Sequence, residues 1–249
     1  MVRTGIGVLS SSALVVLSIA ACGGKQAAQP EASPPEDSAP QITGSADTNP
    51  EEALIERGRY LADGPGHCFY CHSEVDWDTP GFPEVASRKG VGALFPDKSV
   101  PGKVYSSNIT TDGPTGIGSW TDEEIGVAIR EGVSRDGTRL FPAMPYLGFA
   151  RMSDQDLAAV IAYLRTLEPV ENQVPSRELP PPVVESLPPH QPITGPVPHP
   201  DESNQIEYGT YLASIGNCFD CHTPVTPQGQ PIMELAFAGG RVLNGPWGD

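Results

Sequence analysis

Cys68-Phe69-Tyr70-Cys71-His72 and Cys218-Phe219-Asp220-Cys221-His222 are two copies of one pattern: paired cysteines three positions apart, with a histidine directly after the second. On a tight helical turn, two such thiols can add to the two vinyl groups of one porphyrin. The adjoining histidine then sets an imidazole nitrogen on the iron. Paired cysteines also serve structural zinc, thioredoxin-like redox chemistry and simple disulfides. Zinc needs four ligands in one site, yet the motifs lie 150 residues apart with no second pair near either. A redox dithiol belongs in a βαβ setting, and neither motif has strand patterns around it. Two copies, both followed by histidine, predict two covalently attached c-type hemes. Cys68, Cys71, Cys218 and Cys221 are the attachment thiols, and His72 and His222 are iron ligands.

A heme iron dedicated to electron transfer needs a second axial ligand, and a methionine thioether raises its potential. Beyond Met1 the chain has Met144, Met152 and Met233. Met144 stands in Leu140-Phe141-Pro142-Ala143-Met144-Pro145-Tyr146, an apolar loop stiffened by its prolines. Met152 precedes Ser153, a good N-cap with the acid Asp156 at N3, and reads as a core or staple contact. Met144 is therefore the expected sixth ligand of the first heme. Met233 is eleven residues after His222, and the sixth ligand of the second heme stays unassigned.

Helices must position these groups. Residues 51–62 place Leu54, Gly58, Leu61 and Ala62 on one face. Thr121-Asp122-Glu123-Glu124 is a capping box, opening a helix with Ile125, Ala128, Ile129 and Val133 inside. Residues 153–167 carry Leu157, Val160, Ile161 and Leu164 at core-facing helical spacing. Gly58 would let Tyr163 on that last helix come close. The fold class is all-α. Gly58-Arg59-Tyr60-Leu61-Ala62 before the first motif is echoed by Gly209-Thr210-Tyr211-Leu212-Ala213 before the second, so the domain is duplicated.

The rest of the chain is organised around these domains. Residues 1–21 carry one Arg, a short apolar run and small residues, and read as an export signal. Ile19-Ala20-Ala21-Cys22 resembles a bacterial lipobox, with Cys22 as the lipidated first mature residue. Residues 22–50 are rich in Ala, Pro, Ser, Gly and acids, a disordered tether. The first domain then covers 51–170. Residues 171–203 form a proline-rich linker; eleven prolines fall between Pro169 and Pro200, which suggests an extended spacer that carries His190 and His199. The second domain begins at 204 and runs out at 249. The 72-residue spacing from His72 to Met144, repeated from His222, would reach position 294, so this domain reads as incomplete and the sequence as a fragment or an early stop. Over the 249 residues, 15 Lys and Arg stand against 31 Asp and Glu, a charge of −16 that argues against nucleic-acid partners.

Asn108-Ile109-Thr110, Gly116-Ile117-Gly118-Ser119-Trp120, Arg130-Glu131-Gly132, Met144-Pro145-Tyr146 and Ala162-Tyr163-Leu164-Arg165 carry a resemblance. Residues 54–185 resemble a heme domain of the multi-heme cytochrome c subunits that accompany membrane-associated alcohol and sugar dehydrogenases. The resemblance implies a class I cytochrome c fold and single-electron transfer, with His72 and Met144 as axial ligands. The expected role is a lipid-anchored carrier on the periplasmic face of a bacterial envelope. It would pass electrons from a dehydrogenase or quinol-linked donor to a respiratory acceptor, such as an oxidase or another cytochrome. The alternative is a di-heme peroxidase-like oxidoreductase with one iron open to substrate.

Overall fold

Local capping signals set the helices. The computed structural model describes residues 49–227 and 229–246. Asn49 accepts the Glu51 amide at 3.2 Å and Pro50 supplies a fixed φ at the start of α1, Pro50–Asp63. Residues 68–72 wind the single turn α2, Cys68–His72. Thr121 Oγ1 accepts the Glu124 amide at 3.1 Å while the Glu124 carboxylate accepts the Thr121 amide at 2.8 Å, so the capping box read from sequence opens α3, Asp122–Glu131. Ile125 and Ile129 are buried on its inner face. Gly132 ends it in the left-handed conformation at φ 67°, so Val133 lies beyond the helix. After the turn α4, Tyr146–Phe149, Ser153 caps α5, Asp154–Leu164.

α5 ends three residues before its sequence pattern does, at Leu164 rather than Leu167. Arg165 sends its guanidinium to the carbonyls of Ile117 at 3.0 Å and Trp120 at 2.6 Å and to Asp122 at 2.7 Å. The chain beyond closes in tighter turns, from Thr166 N to Tyr163 O and Leu167 N to Leu164 O.

α1 crosses α5 at Gly58. A Cβ there would sit 1.9 Å from the Ala159 carbonyl oxygen and 2.9 Å from Tyr163 Cβ, so backbone meets backbone more closely than it meets the Tyr163 side chain. Around the crossing, Leu61, Phe69, Ile125, Val160, Ile161 and Leu164 form one buried cluster. Phe69 packs edge-on against Tyr163 at 6.0 Å, with the Lys89 ammonium 4.1 Å above its ring. Gly58→Ala should cost at least the upper end of the roughly 1–3 kcal/mol of overpacking, because the obstacle is backbone. Thermal unfolding followed at 222 nm checks this, and an unchanged midpoint would contradict the close crossing.

Among the described residues, β pairing is limited to single residue pairs such as Val75 with Glu84 and Leu94 with Tyr105, and the architecture is helical. No described helix is long and apolar enough to cross a membrane.

Residues 171–203 differ from a free spacer. They lie along the first helical assembly, and Pro181 and Pro182 begin a helical turn, α6, Pro181–Glu185, where proline tolerates the first positions. Asn172 donates to the Val91 carbonyl at 2.8 Å, Glu178 pairs with Lys103 through backbone bonds of 2.8 and 2.9 Å, and Arg139 donates to the carbonyls of Leu187, Pro188 and Val184. His190 and His199 are held by Glu131 and by Ser153 and Glu202.

The second copy follows as α7, Gln205–Ile215, and the turn α8, Cys218–His222. Its geometry repeats the first over matching landmarks. His67 and Asn217, each just before a motif, are left-handed at φ 48° and 49°. Gly92 N donates to His72 O at 2.7 Å, as Gly239 N does to His222 O. Ser73 Oγ accepts the Gly90 amide and Thr223 Oγ1 the Phe237 amide, both at 3.1 Å. The intervening loop spans 17 positions in one copy and 14 in the other.

Candidate heme-binding site

α1 runs into the first motif through the turn at Gly64–His67, and α2 places Cys68, Cys71 and His72 on one side of a single turn, at positions i, i+3 and i+4. The four described cysteines are all free thiols. Burial pushes the Cys68 thiol up to about 12 and the Cys71 thiol up to about 11. Redox dithiols are tuned the other way, toward stable thiolates, so this pair is poorly suited to disulfide exchange. Among the described residues no three His, Cys, Asp or Glu side chains gather as a conventional metal site.

His72 is held by a bond that the sequence alone did not reveal. Its Nδ1 lies 2.7 Å from the Ser107 carbonyl oxygen, which can only accept, so Nδ1 carries the proton and Nε2 keeps its lone pair. Burial pushes the imidazole pKa down, against the smaller opposing effect of that bond. A neutral, oriented imidazole is what an iron ligand requires. Ser107 is fixed in turn by its neighbours. Ser106 Oγ donates to the Cys71 carbonyl and accepts the Ala93 amide at 2.9 Å. Buried Asn108 donates to the Val170 carbonyl at 2.8 Å and accepts from Thr110 N and Oγ1 at 2.9 and 2.7 Å. Asn108 thus acts as the clamp of this segment.

Met144 comes from the loop between α3 and α4. Leu140 N returns to the Gly132 carbonyl at 2.7 Å, Met144 N bonds Phe141 O at 3.1 Å and Tyr146 N bonds Met144 O at 2.8 Å. Gly132 is required here twice over, by its positive φ and because a Cβ would stand 2.6 Å from the Tyr146 ring. The loop's Arg139 is gripped by the proline-rich segment, so that segment braces the methionine.

These residues share one cavity of about 1110 Å3, with Cys68, Cys71, His72 and Met144 all on its walls. Its volume stands just above the roughly 300–1,000 Å3 usual for ligand sites. Ile117, Ile129 and Leu164 add apolar surface. The residues fit heme c: two free thiols beside an oriented imidazole, and a thioether lining the same apolar space. Met152 also touches the cavity but is 3% exposed and packed in the core, as read from sequence. Trp120 lines the cavity, whereas Arg130 is committed to the Met152 carbonyl at 3.1 Å and Asp154 at 2.7 Å.

The second motif borders the same space through Phe219 and Cys221. Tyr70, within the first motif, lines the cavity as well and is raised in pKa chiefly by burial, and the shared wall makes the two motifs neighbours. Met233 begins a 3-10 turn, Met233–Leu235, that takes the place of Ala86–Arg88 in the first copy and is 61% exposed. Its counterpart is therefore Ala86 and not Met144. Cys22 lies outside the described residues.

Known proteins align with this chain. The gluconate 2-dehydrogenase cytochrome c subunit of Pantoea cypripedii is 34% identical over 190 residues, covering 72% of this chain and 40% of its own length. The cytochrome c subunit of the quinone alcohol dehydrogenase of Gluconobacter oxydans is 34% identical over 201 residues, covering 77% of this chain and 39% of its own. The chain is a homologue of dehydrogenase cytochrome c subunits. A diheme cytochrome c-type protein of Cereibacter sphaeroides is 28% identical over 187 residues, covering 70% of this chain and 59% of its own length. No family model matches the chain. This cytochrome c homologue spans about two fifths of the length of the two dehydrogenase subunits, and 16% of a nicotinate dehydrogenase subunit that it also matches. Covalently bound heme c is the cofactor that its homology implies.

Proposed function

We propose that the chain is a membrane-tethered, periplasmic c-type cytochrome that carries single electrons between a dehydrogenase or quinol-linked donor and a downstream respiratory acceptor. The observation that carries this reading is the one cavity with Cys68, Cys71, His72 and Met144 on its walls. Heme c bound there supplies reversible one-electron chemistry. In this reading Cys68 and Cys71 would hold the group covalently, His72 and Met144 would be the ligands to its iron, and the apolar walls would exclude water. Cys218, Cys221 and His222 hold a second heme. Resemblance to dehydrogenase subunits supports a dehydrogenase as the donor. The charge of −16 favours a partner with a basic docking face and association that speeds up at low salt.

Carbon monoxide tests the carrier reading. If His72 and Met144 both ligate the first heme, the reduced protein should show an unchanged first-heme spectrum at micromolar carbon monoxide and no turnover of hydrogen peroxide. Micromolar binding at that heme would contradict a carrier and favour the peroxidase-like alternative.

The tether rests on Cys22, where acyl chains would contribute about 0.8 kcal/mol per buried CH₂. Cys22→Ser should move the protein from the membrane to the soluble periplasmic fraction on cell fractionation. Retention in the membrane would contradict the anchor.

A further inference from the structure

The repeat brings a tyrosine to the same place in both copies, and the two tyrosines behave differently. Tyr60 of α1 is 42% exposed, whereas Tyr211 of α7 is 9% exposed. The paired glycines differ as well. Gly58 is pressed against α5, while a Cβ on Gly209 would meet nothing within 4 Å. α7 has therefore turned a different face to the first domain, and Tyr211 is its anchor.

The anchor point is Asp156. Its side chain is fully buried, and Arg57 grips both oxygens, Nε to Oδ1 at 2.8 Å and Nη2 to Oδ2 at 2.9 Å. The Tyr211 hydroxyl donates to Oδ2 at 2.6 Å and accepts the Ser153 amide at 3.1 Å. Arg57 Nη1 also donates to the Tyr208 hydroxyl at 2.8 Å, and the two tyrosine rings stack at 6.3 Å. A buried carboxylate is tolerated only when paired and hydrogen-bonded. Arg57 reaches it from α1 and Tyr211 from α7, with His199 of the proline-rich segment 3.8 Å from Oδ2, so the Tyr211 bond is the one that ties this carboxylate to the docking of α7. Asp156 is read from sequence as a helix-capping acid, yet its carboxylate serves this junction and only its backbone amide bonds Ser153.

From Tyr211 one helical turn leads to Ile215, 1% exposed, and then through Gly216 and Asn217 to Cys218. Two close approaches fix that entry. A Cβ on Gly148 of α4 would lie 2.7 Å from the Ser214 carbonyl, and one on Gly216 would lie 3.4 Å from the carbonyl of Pro65, three residues before Cys68. The residues leading into one motif thus touch those leading into the other.

We propose that Tyr211 and Asp156 form a latch that holds the second attachment motif at one station beside the first and so sets the exchange of electrons between the two hemes of this chain. The proposal rests on the heme reading above. The step served is a single-electron exchange in which one iron is oxidised as the other is reduced, with no bond made or broken. Tyr211 and Asp156 are positioning residues, because each acts through the placement of α7.

The test uses Tyr211→Phe in the full chain, expressed with cytochrome maturation, which removes one oxygen and keeps the ring. Loss of a hydrogen bond to a charged group shifts a docking equilibrium by about 10- to 100-fold. Tyr211→Phe should keep two hemes per chain by pyridine hemochrome, lose at least half of the excitonic couplet in Soret circular dichroism, and slow inter-heme equilibration after flash reduction on the order of tenfold. Tyr60→Phe, at the matching exposed position, should leave both readouts unchanged. Asp156→Asn should reproduce the effect; if it misfolds, Tyr211→Phe alone decides. Two retained hemes with an unaltered couplet and rate overturn the latch while leaving the heme reading intact. A Tyr211→Phe chain that loses a heme also overturns it, because the residue would then serve loading. A wild-type chain without two hemes overturns the heme reading, and the latch with it.

Discussion

Met144→Leu removes the weak far-red sulfur-to-iron absorption of the oxidised protein and lowers the potential of the first heme on the order of 0.1 V or more, a fraction of the roughly 0.8 V that axial-ligand identity spans. Leucine keeps the apolar volume of the loop, so the fold is expected to survive. The brace on that loop does not involve the thioether. Leu140 still returns to Gly132, and Arg139 still binds the carbonyls of the proline-rich segment. What disappears is, among the described residues, the one thioether on the cavity wall outside the buried core, since Met152 is 3% exposed within it. Spectroelectrochemistry on the oxidised and reduced forms reads both effects. A band that persists in Met144→Leu and vanishes in Met152→Leu would show that the ligand has been misassigned.

Cys68→Ala combined with Cys71→Ala halves the heme carried per chain, from two to one. Both thiols are half-buried and free, and neither is paired with a neighbouring cysteine in a disulfide. His72 remains bonded to Ser107 and can still face a porphyrin, but nothing ties the group to the chain once the protein is denatured. The second motif, with its own left-handed entry at Asn217 and its own Thr223 anchor, should load independently. Pyridine hemochrome on denatured, extracted protein gives the count. Loss of both hemes would show that the second motif cannot load without the first, and two retained hemes would show that attachment lies elsewhere.

Features encoded by neighbouring residues were legible from the sequence. The motifs, the Thr121–Glu124 capping box, the Ser153 cap and the Gly58 crossing each depend on a few adjacent positions or on one helical face. Contacts between distant segments were not legible. Ser107 reaches His72 through its backbone carbonyl, which no side-chain pattern reports. Asp156 sits where a capping acid belongs, and only the arrival of Arg57 from 99 positions away and Tyr211 from 55 shows its other use. The prolines of residues 171–203 imply an extended spacer, but not that Pro181–Glu185 would form a helical turn or that Arg139 would take up the segment's carbonyls. Composition reports the stiffness of a segment and says nothing of what it lies against.

Intact-mass spectrometry of the full chain under denaturing conditions, from a host competent in cytochrome maturation, bears most directly on the whole account. Two porphyrin masses should remain on the polypeptide, with thioether links mapped by digestion to Cys68 and Cys71 and to Cys218 and Cys221. A bare polypeptide mass, or porphyrin that washes away on denaturation, would contradict it.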